Sequence, residues 1–149
     1  MAAYSFIDVN AVITGIGGVF PLASGAGAAD EGISIAAVSD KNTMMVGADG
    51  SPMHSLNAST ASTCTVNLLK TSPVNALLMA MYNAQSTSSA LWGKNIITLI
   101  ILQTGETIVL SSCAFKKVPN LDYAKEAKTT QWTFDCGKTS TMLGVYGGF

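Results

Sequence analysis

His54 is the single histidine of this chain, and Asp49, Ser51 and Ser55 lie close to it in sequence. An imidazole base, a hydroxyl nucleophile and a carboxylate are the parts of an acyl-transfer site. Such parts are brought together by a fold, however, and adjacency in one polar connection does not poise them. Of the nine carboxylates only Asp30 and Glu31 are neighbours. Successive residues of a strand face opposite ways, so these two do not form an acid/base pair. A lone histidine without an acidic cluster leaves no zinc or calcium site. Gly15, Gly17 and Gly18 suggest a nucleotide loop, but that fingerprint must open a helix, and Pro21 with the small-residue loop at 24–29 argues against one. No GxxxxGK[ST] phosphate loop occurs. These residues therefore predict no catalytic site, no cofactor and no metal.

Cys64, Cys113 and Cys136 are too few and too far apart for a disulfide framework or a CxxC metal site. Each stands in an apolar or Thr-rich strand-like run, where a thiol acts as a small hydrophobe, and a reducing setting is expected. All eight cations are Lys, and the net charge is −1, which lacks the basic footprint of a duplex-binding protein. The longest apolar run, residues 96–102, is far below the ~20 residues of a spanning helix. The N-terminus has no basic region followed by an apolar stretch, so no signal peptide and no membrane association are predicted.

The elements that must carry these residues are mostly strands. Ile7, Val9, Ala11 and Ile13 alternate with Asp8, Asn10 and Thr14, a period of two. Residues 33–38 and 43–46 read as further strands. Asp49-Gly50-Ser51-Pro52 is a turn signal, and it opens a long polar connection reaching to about residue 60. Beyond it Cys64, Val66 and Leu68 alternate with Thr63, Thr65 and Asn67. One helix is expected: Ser72 caps it, Pro73 takes its first position, and Val74, Leu77, Leu78, Met81 and Tyr82 recur at helical spacing. Residues 95–102 and 107–115 flank the turn Gln103-Thr104-Gly105-Glu106 as a hairpin, and Trp132, Phe134 and Cys136 mark a last strand. The chain, 1–149, is read as one mainly β (α+β) domain: a β-sandwich or small barrel with a flanking helix and a mobile glycine-rich tail at 144–149.

Composition points to what such a domain does. Hydrophobic residues make up 48% of the chain and charged residues only 11%, against about 25% charged in an average soluble domain. So few charges cannot screen that much apolar surface on a lone monomer, which predicts that copies cover one another.

Six stretches carry a further pattern. The first three are Tyr4-Ser5-Phe6-Ile7-Asp8-Val9-Asn10-Ala11, Asp40-Lys41-Asn42-Thr43-Met44 and Gly47-Ala48-Asp49-Gly50-Ser51-Pro52-Met53. Further on stand Leu69-Lys70-Thr71-Ser72-Pro73-Val74-Asn75-Ala76, Lys117-Val118-Pro119-Asn120-Leu121-Asp122-Tyr123-Ala124-Lys125-Glu126 and Gln131-Trp132-Thr133-Phe134-Asp135. In order and along nearly the whole chain, these stretches resemble the tail tube proteins of contractile-tailed bacteriophages. It implies a structural virion protein whose hexameric rings stack into a hollow tube with a continuous inner β-barrel, inside a contractile sheath. Its partners would be further copies, the sheath protein, and baseplate and terminator proteins. DNA would pass through the lumen without specific binding, and a slightly acidic wall without arginine suits that passage.

By the same resemblance, the connection at 40–60 reaches a neighbouring subunit or ring through Asp40, Lys41, Asp49, Met53 and His54. Thr63, Thr65 and Asn67 are candidates for the lumen wall. The tube of a phage-derived contractile injection system is the nearest alternative. A ligand-binding β-barrel, or a hydrolase using Ser51 or Ser55 with His54, comes from a different class.

Overall fold

The computed structural model describes residues 3–23 and 28–145, the 28–31 segment by its backbone. A short 3-10 turn, Phe6–Asp8, leads into β1 (Val9–Gly15), which folds back as β2 (Gly18–Pro21). Then follow β3 (Ala28–Ala37), β4 (Asn42–Val46), β5 (Pro52–Leu56), β6 (Ser62–Leu69), helix α1 (Val74–Gln85), β7 (Asn95–Ile101), β8 (Glu106–Lys117) and β9 (Thr129–Met142). Seven strands form one antiparallel sheet in the order β2-β1-β7-β8-β9-β6-β3, and β4 with β5 forms a separate two-stranded sheet. The mainly β fold with one helix agrees with the sequence reading. Of the two forms expected, a β-sandwich or a small barrel, the body is not two packed sheets: its seven strands form one continuous sheet. The sheet rolls on itself: Val9 of β1, next to one edge strand, and Ile33 and Ile35 of β3, the other edge, line one shared groove with Phe6, Leu99 and Ile108.

Alternation places the core as predicted. Cys64, Val66 and Leu68 of β6 are fully buried, as are Val9, Ala11 and Ile13 of β1 and Trp132, Phe134 and Cys136 of β9. Ile7 falls in the 3-10 turn, breaks the alternation and is exposed. In β8 two buried residues, Leu110 and Cys113, stand three apart. Ser112 at φ 54° absorbs the extra residue, and the register against β7 shifts between Asn95 and Ile97. The facing residue of β9 is Gly137, whose missing Cβ would lie 3.2 Å from that of Ser112.

The helix starts at Val74 with Pro73 in the N-cap position, one residue later than the sequence places it, and Ser72 Oγ still accepts from the Val74 amide at 3.3 Å. Val74, Leu78, Met81 and Gln85 face the core, while Leu77, read as part of the stripe, is exposed. Tyr82 meets Phe115 edge-on at 5.6 Å, and Phe115 meets Phe134 at 4.9 Å. This aromatic cluster fastens the helix to the sheet.

Candidate assembly surface

Residues 42–56, expected as strand 43–46 followed by a long loop, form a two-stranded ribbon that stands off the body. Its register pairs Asn42 with Leu56, Met44 with His54, Met45 with Met53 and Val46 with Pro52. Sequence reading missed β5 because Pro52 resembles a turn residue; as the first residue of a strand it needs no ladder donor. Every residue of the ribbon is exposed. Met44, Met45, Val46, Met53 and Leu56 lie between 56% and 84% open to solvent. Alternation spreads them over both faces, with Met45 and Met53 on one and Met44, His54, Val46 and Leu56 on the other. An apolar ribbon wet on both sides is not a stable end state for a two-stranded hairpin.

The sequence-predicted contact residues divide into three kinds. Asp49 sits in the ribbon's turn, where its Oδ1 accepts from the Ser51 amide at 3.0 Å. That bond holds its carboxyl below the usual range. Lys41 works at the root: its Nζ donates to the carbonyls of Asn57 (2.9 Å) and Ser59 (3.0 Å). Asn57 completes this knot, donating through Nδ2 to Ser39 Oγ and the Asp40 carbonyl. Asp40 and Met53 are exposed to solvent. His54 Nδ1 lies 3.1 Å from Asn42 Nδ2 across the ribbon. Asp49 thus serves the turn and His54 faces an amide, while Ser55 projects from the opposite side of the strand. The geometry joins no serine, histidine and carboxylate into a relay.

The second candidate surface is the outer side of β3, β6 and β9. Thr63 pairs with Ala36 and Asp135, and Thr65 with Ser34 and Thr133. Together they make a small-residue, hydroxyl-rich face. Both threonines are half-buried, whereas Asn67 is only 7% exposed. Its Nδ2 donates to the Gly32 carbonyl at 3.2 Å, and its Oδ1 accepts from Gln131 Nε2 at 3.3 Å, so it stitches the three strands together. The small-residue loop at 24–29 and the glycine-rich tail at 144–149, the tail expected from sequence to be mobile, lie largely outside the described residues.

Among the described residues no set of three His, Cys, Asp or Glu side chains could hold a metal ion, and no helix is long and apolar enough to cross a membrane. The three cysteines are buried free thiols. Burial pushes the Cys64 thiol up to about 12. Cys113 Sγ approaches Cys136 Sγ at 3.1 Å, and that hydrogen bond, with burial second, raises the Cys113 thiol further.

The family model for the bacteriophage PhiTE tail tube protein matches residues 1–144. The chain belongs to this tail tube family. Its members are structural and non-enzymatic, with a place in the virion tail. No curated protein matches the chain.

Solved structures give the same fold at low identity. The sheath–tube complex of the PVC extracellular contractile injection system, in its extended state, contains a chain 12% identical, with a TM-score of 0.60. That match covers 96% of this chain and 93% of the other. A chain of the anti-feeding prophage tube-terminating cap is 15% identical with a TM-score of 0.55, covering 95% and 93%. A third, from the PVC sheath/tube terminator, is 13% identical with a TM-score of 0.54, covering 89% and 93%. The tail tube fold therefore extends over the whole described body and its ribbon.

Proposed function

We propose that this tail tube protein assembles as stacked hexameric rings into the inner tube of a contractile tail, and that DNA leaves the capsid through the lumen. The observation that carries this reading is the β4–β5 ribbon, whose exposed methionines, valine and leucine need a neighbouring copy to cover them. Asp40, Met53 and His54 are the contact residues on this reading, with Asp49 shaping the tip and Lys41 fixing the root. Thr63 and Thr65 belong to a neutral, hydroxyl-lined lumen wall, and Asn67 holds the strands beneath it. A wall without arginine lets DNA slide.

Closing the sheet edges of adjacent subunits into a common barrel removes the open β3 edge as an aggregation site. The sheath and tube-terminator complexes in which the similar chains sit support a sheath protein and a terminator as partners, with a baseplate at the far end. Assembly takes place in the bacterial host cytoplasm. Those same similarities favour one second reading, the tube of a contractile injection system with no DNA cargo.

Electron microscopy of the purified protein over a concentration series tests the proposal. Hollow tubes or stacked rings of uniform width are expected. A monomer that persists at every concentration, even with a baseplate extract supplied as nucleus, overturns it.

A further inference from the structure

The fold brings face to face two thiols that the sequence holds 23 residues apart. Cys113 of β8 and Cys136 of β9 are direct partners in the antiparallel ladder, and their Sγ atoms stand 3.1 Å apart. Directly opposite residues of such a ladder have Cα atoms about 4.5–5.5 Å apart, inside the ~4.4–6.8 Å span that a disulfide needs. Both side chains are buried, and both are free thiols. Cys64, on the neighbouring strand β6, is a third buried thiol, but it pairs with Phe134, while Cys136 pairs with Ser62. That diagonal offset sets Cα atoms about 7–8 Å apart, at or beyond the limit for bridging.

The surroundings give the two sulfurs different roles. Cys113 Sγ donates toward Cys136 Sγ and also lies 3.3 Å from the Leu110 carbonyl, so its proton is held between two acceptors. Cys136 receives that hydrogen bond, which draws its thiol below the ordinary range. Cys136 is the sulfur disposed to attack, and Cys113 the one placed to resolve. The ladder is weakest beside the pair. Ser112, at φ 54°, makes the bulge against β7, and Gly137 faces it from β9; both are exposed. A bulge loosens local pairing, so a parting wide enough for a molecule little larger than water needs no global unfolding.

We propose that Cys113 and Cys136 form a latent disulfide that a peroxide closes, a covalent clasp between the two longest strands of the sheet. The Cys136 sulfur attacks one peroxide oxygen, the O–O bond breaks, water leaves with the thiol proton, and a sulfenic acid remains on Cys136. The Cys113 sulfur then attacks the Cys136 sulfur: the S–S bond forms, the S–O bond breaks, and a second water carries off the Cys113 proton. Two thiols give up two electrons, and the peroxide takes them. The closed bond encloses residues 114–135, and it removes from the unfolded chain the freedom of that whole loop. The clasp lies within one subunit and does not depend on the tube reading. A chain folded with its thiols reduced is hardened afterwards, on meeting the oxidant.

The full chain, purified under reductant and moved into dilute hydrogen peroxide without denaturant, tests the proposal. Peptide mapping by mass spectrometry under non-reducing conditions is expected to find one link, Cys113 to Cys136, with the mass of two hydrogens lost and Cys64 still free. The thermal midpoint is expected to rise by about 10 °C and to fall back when dithiothreitol is added. Cys64→Val is expected to close the same bond, which separates the pair from its third neighbour. Three thiols that stay free in peroxide, a bond through Cys64, or sulfinic acid in place of a link would each overturn the proposal. So would a link that forms only in denaturant, or one that leaves the midpoint unmoved.

Discussion

Gln85 and Asn95 hold each other through both ends of their amides. Gln85 Nε2 donates to Asn95 Oδ1 at 2.6 Å, and Asn95 Nδ2 returns a bond to Gln85 Oε1 at 2.9 Å. Gln85 Nε2 also donates to the Ile16 carbonyl at 2.9 Å. The last residue of the helix is thereby tied to the start of β7 and to the β1–β2 turn, and both amides are shut from solvent. A buried amide is tolerated only when its partners are present.

Gln85→Leu leaves the Asn95 amide and the Ile16 carbonyl unpaired, and it should lower unfolding free energy by about 1–3 kcal/mol. Gln85→Leu with Asn95→Leu should cost less than the sum of the single changes, because neither orphan amide remains. Urea unfolding of dissociated subunits measures both. Gly15→Ala should destabilise through the same pair, since its methyl would collide with Asn95 Oδ1.

Lys41→Met releases the root of the ribbon while leaving the body intact. Amide exchange across residues 42–56 should quicken about tenfold, and the unfolding midpoint of the body should move by less than about 2 °C. Hydrogen-exchange mass spectrometry separates the two regions. Equal acceleration in β6 and β9 would place the knot in the global fold instead.

Met45→Asp with Met53→Asp puts two carboxylates on one exposed face of the ribbon. The subunit should keep its unfolding midpoint and lose tube formation at all concentrations where the parent assembles. Turbidity and negative-stain images give the answer.

Alkaline pH should weaken the fold through its thiols. Cys64 is raised from an ordinary value of 9.0 to about 12 in the folded chain. The folded state therefore keeps a proton that the unfolded state has released. Stability is complete below pH 9 and falls as pH rises from 9 toward 12, by about 1.4 kcal/mol per pH unit for this thiol. Cys64→Val should flatten that slope in urea titrations at pH 8, 9 and 10. The native thiols should also resist iodoacetamide until the protein is unfolded.

Where one face of an element is buried and the other is wet, the sequence was readable. Cys64, Val66 and Leu68, or Trp132, Phe134 and Cys136, announce their strands by alternation alone. What was obscured had one of two causes. Short turn-flanked strands such as Gly18–Pro21 and Pro52–Leu56 carry the residues of a turn, and their strand character comes from the partner they pair with. Elsewhere a tertiary contact reassigns a residue: Lys41 looks like a free contact cation until Asn57 and Ser59 fold back to its Nζ, and Asn67 looks outward-facing until Gly32 and Gln131 cover it. Gln85, the key polar core residue, gave one sequence signal, a helical step of four beyond Met81, which its amide disguised.

The strand order carries a consequence for synthesis. β1 must wait for β7, with Val9 meeting Ile101, and β6 must wait for β9, with Leu69 meeting Thr129. A ribosome delivers residues from the N-terminus onward, so the sheet stays open until nearly the last strand has emerged. The ribbon at 42–56 is local and can form early, yet the body that would present it does not exist. On the tube reading, nascent chains crowded on one messenger would therefore not polymerise with each other, and joining would be deferred to finished subunits.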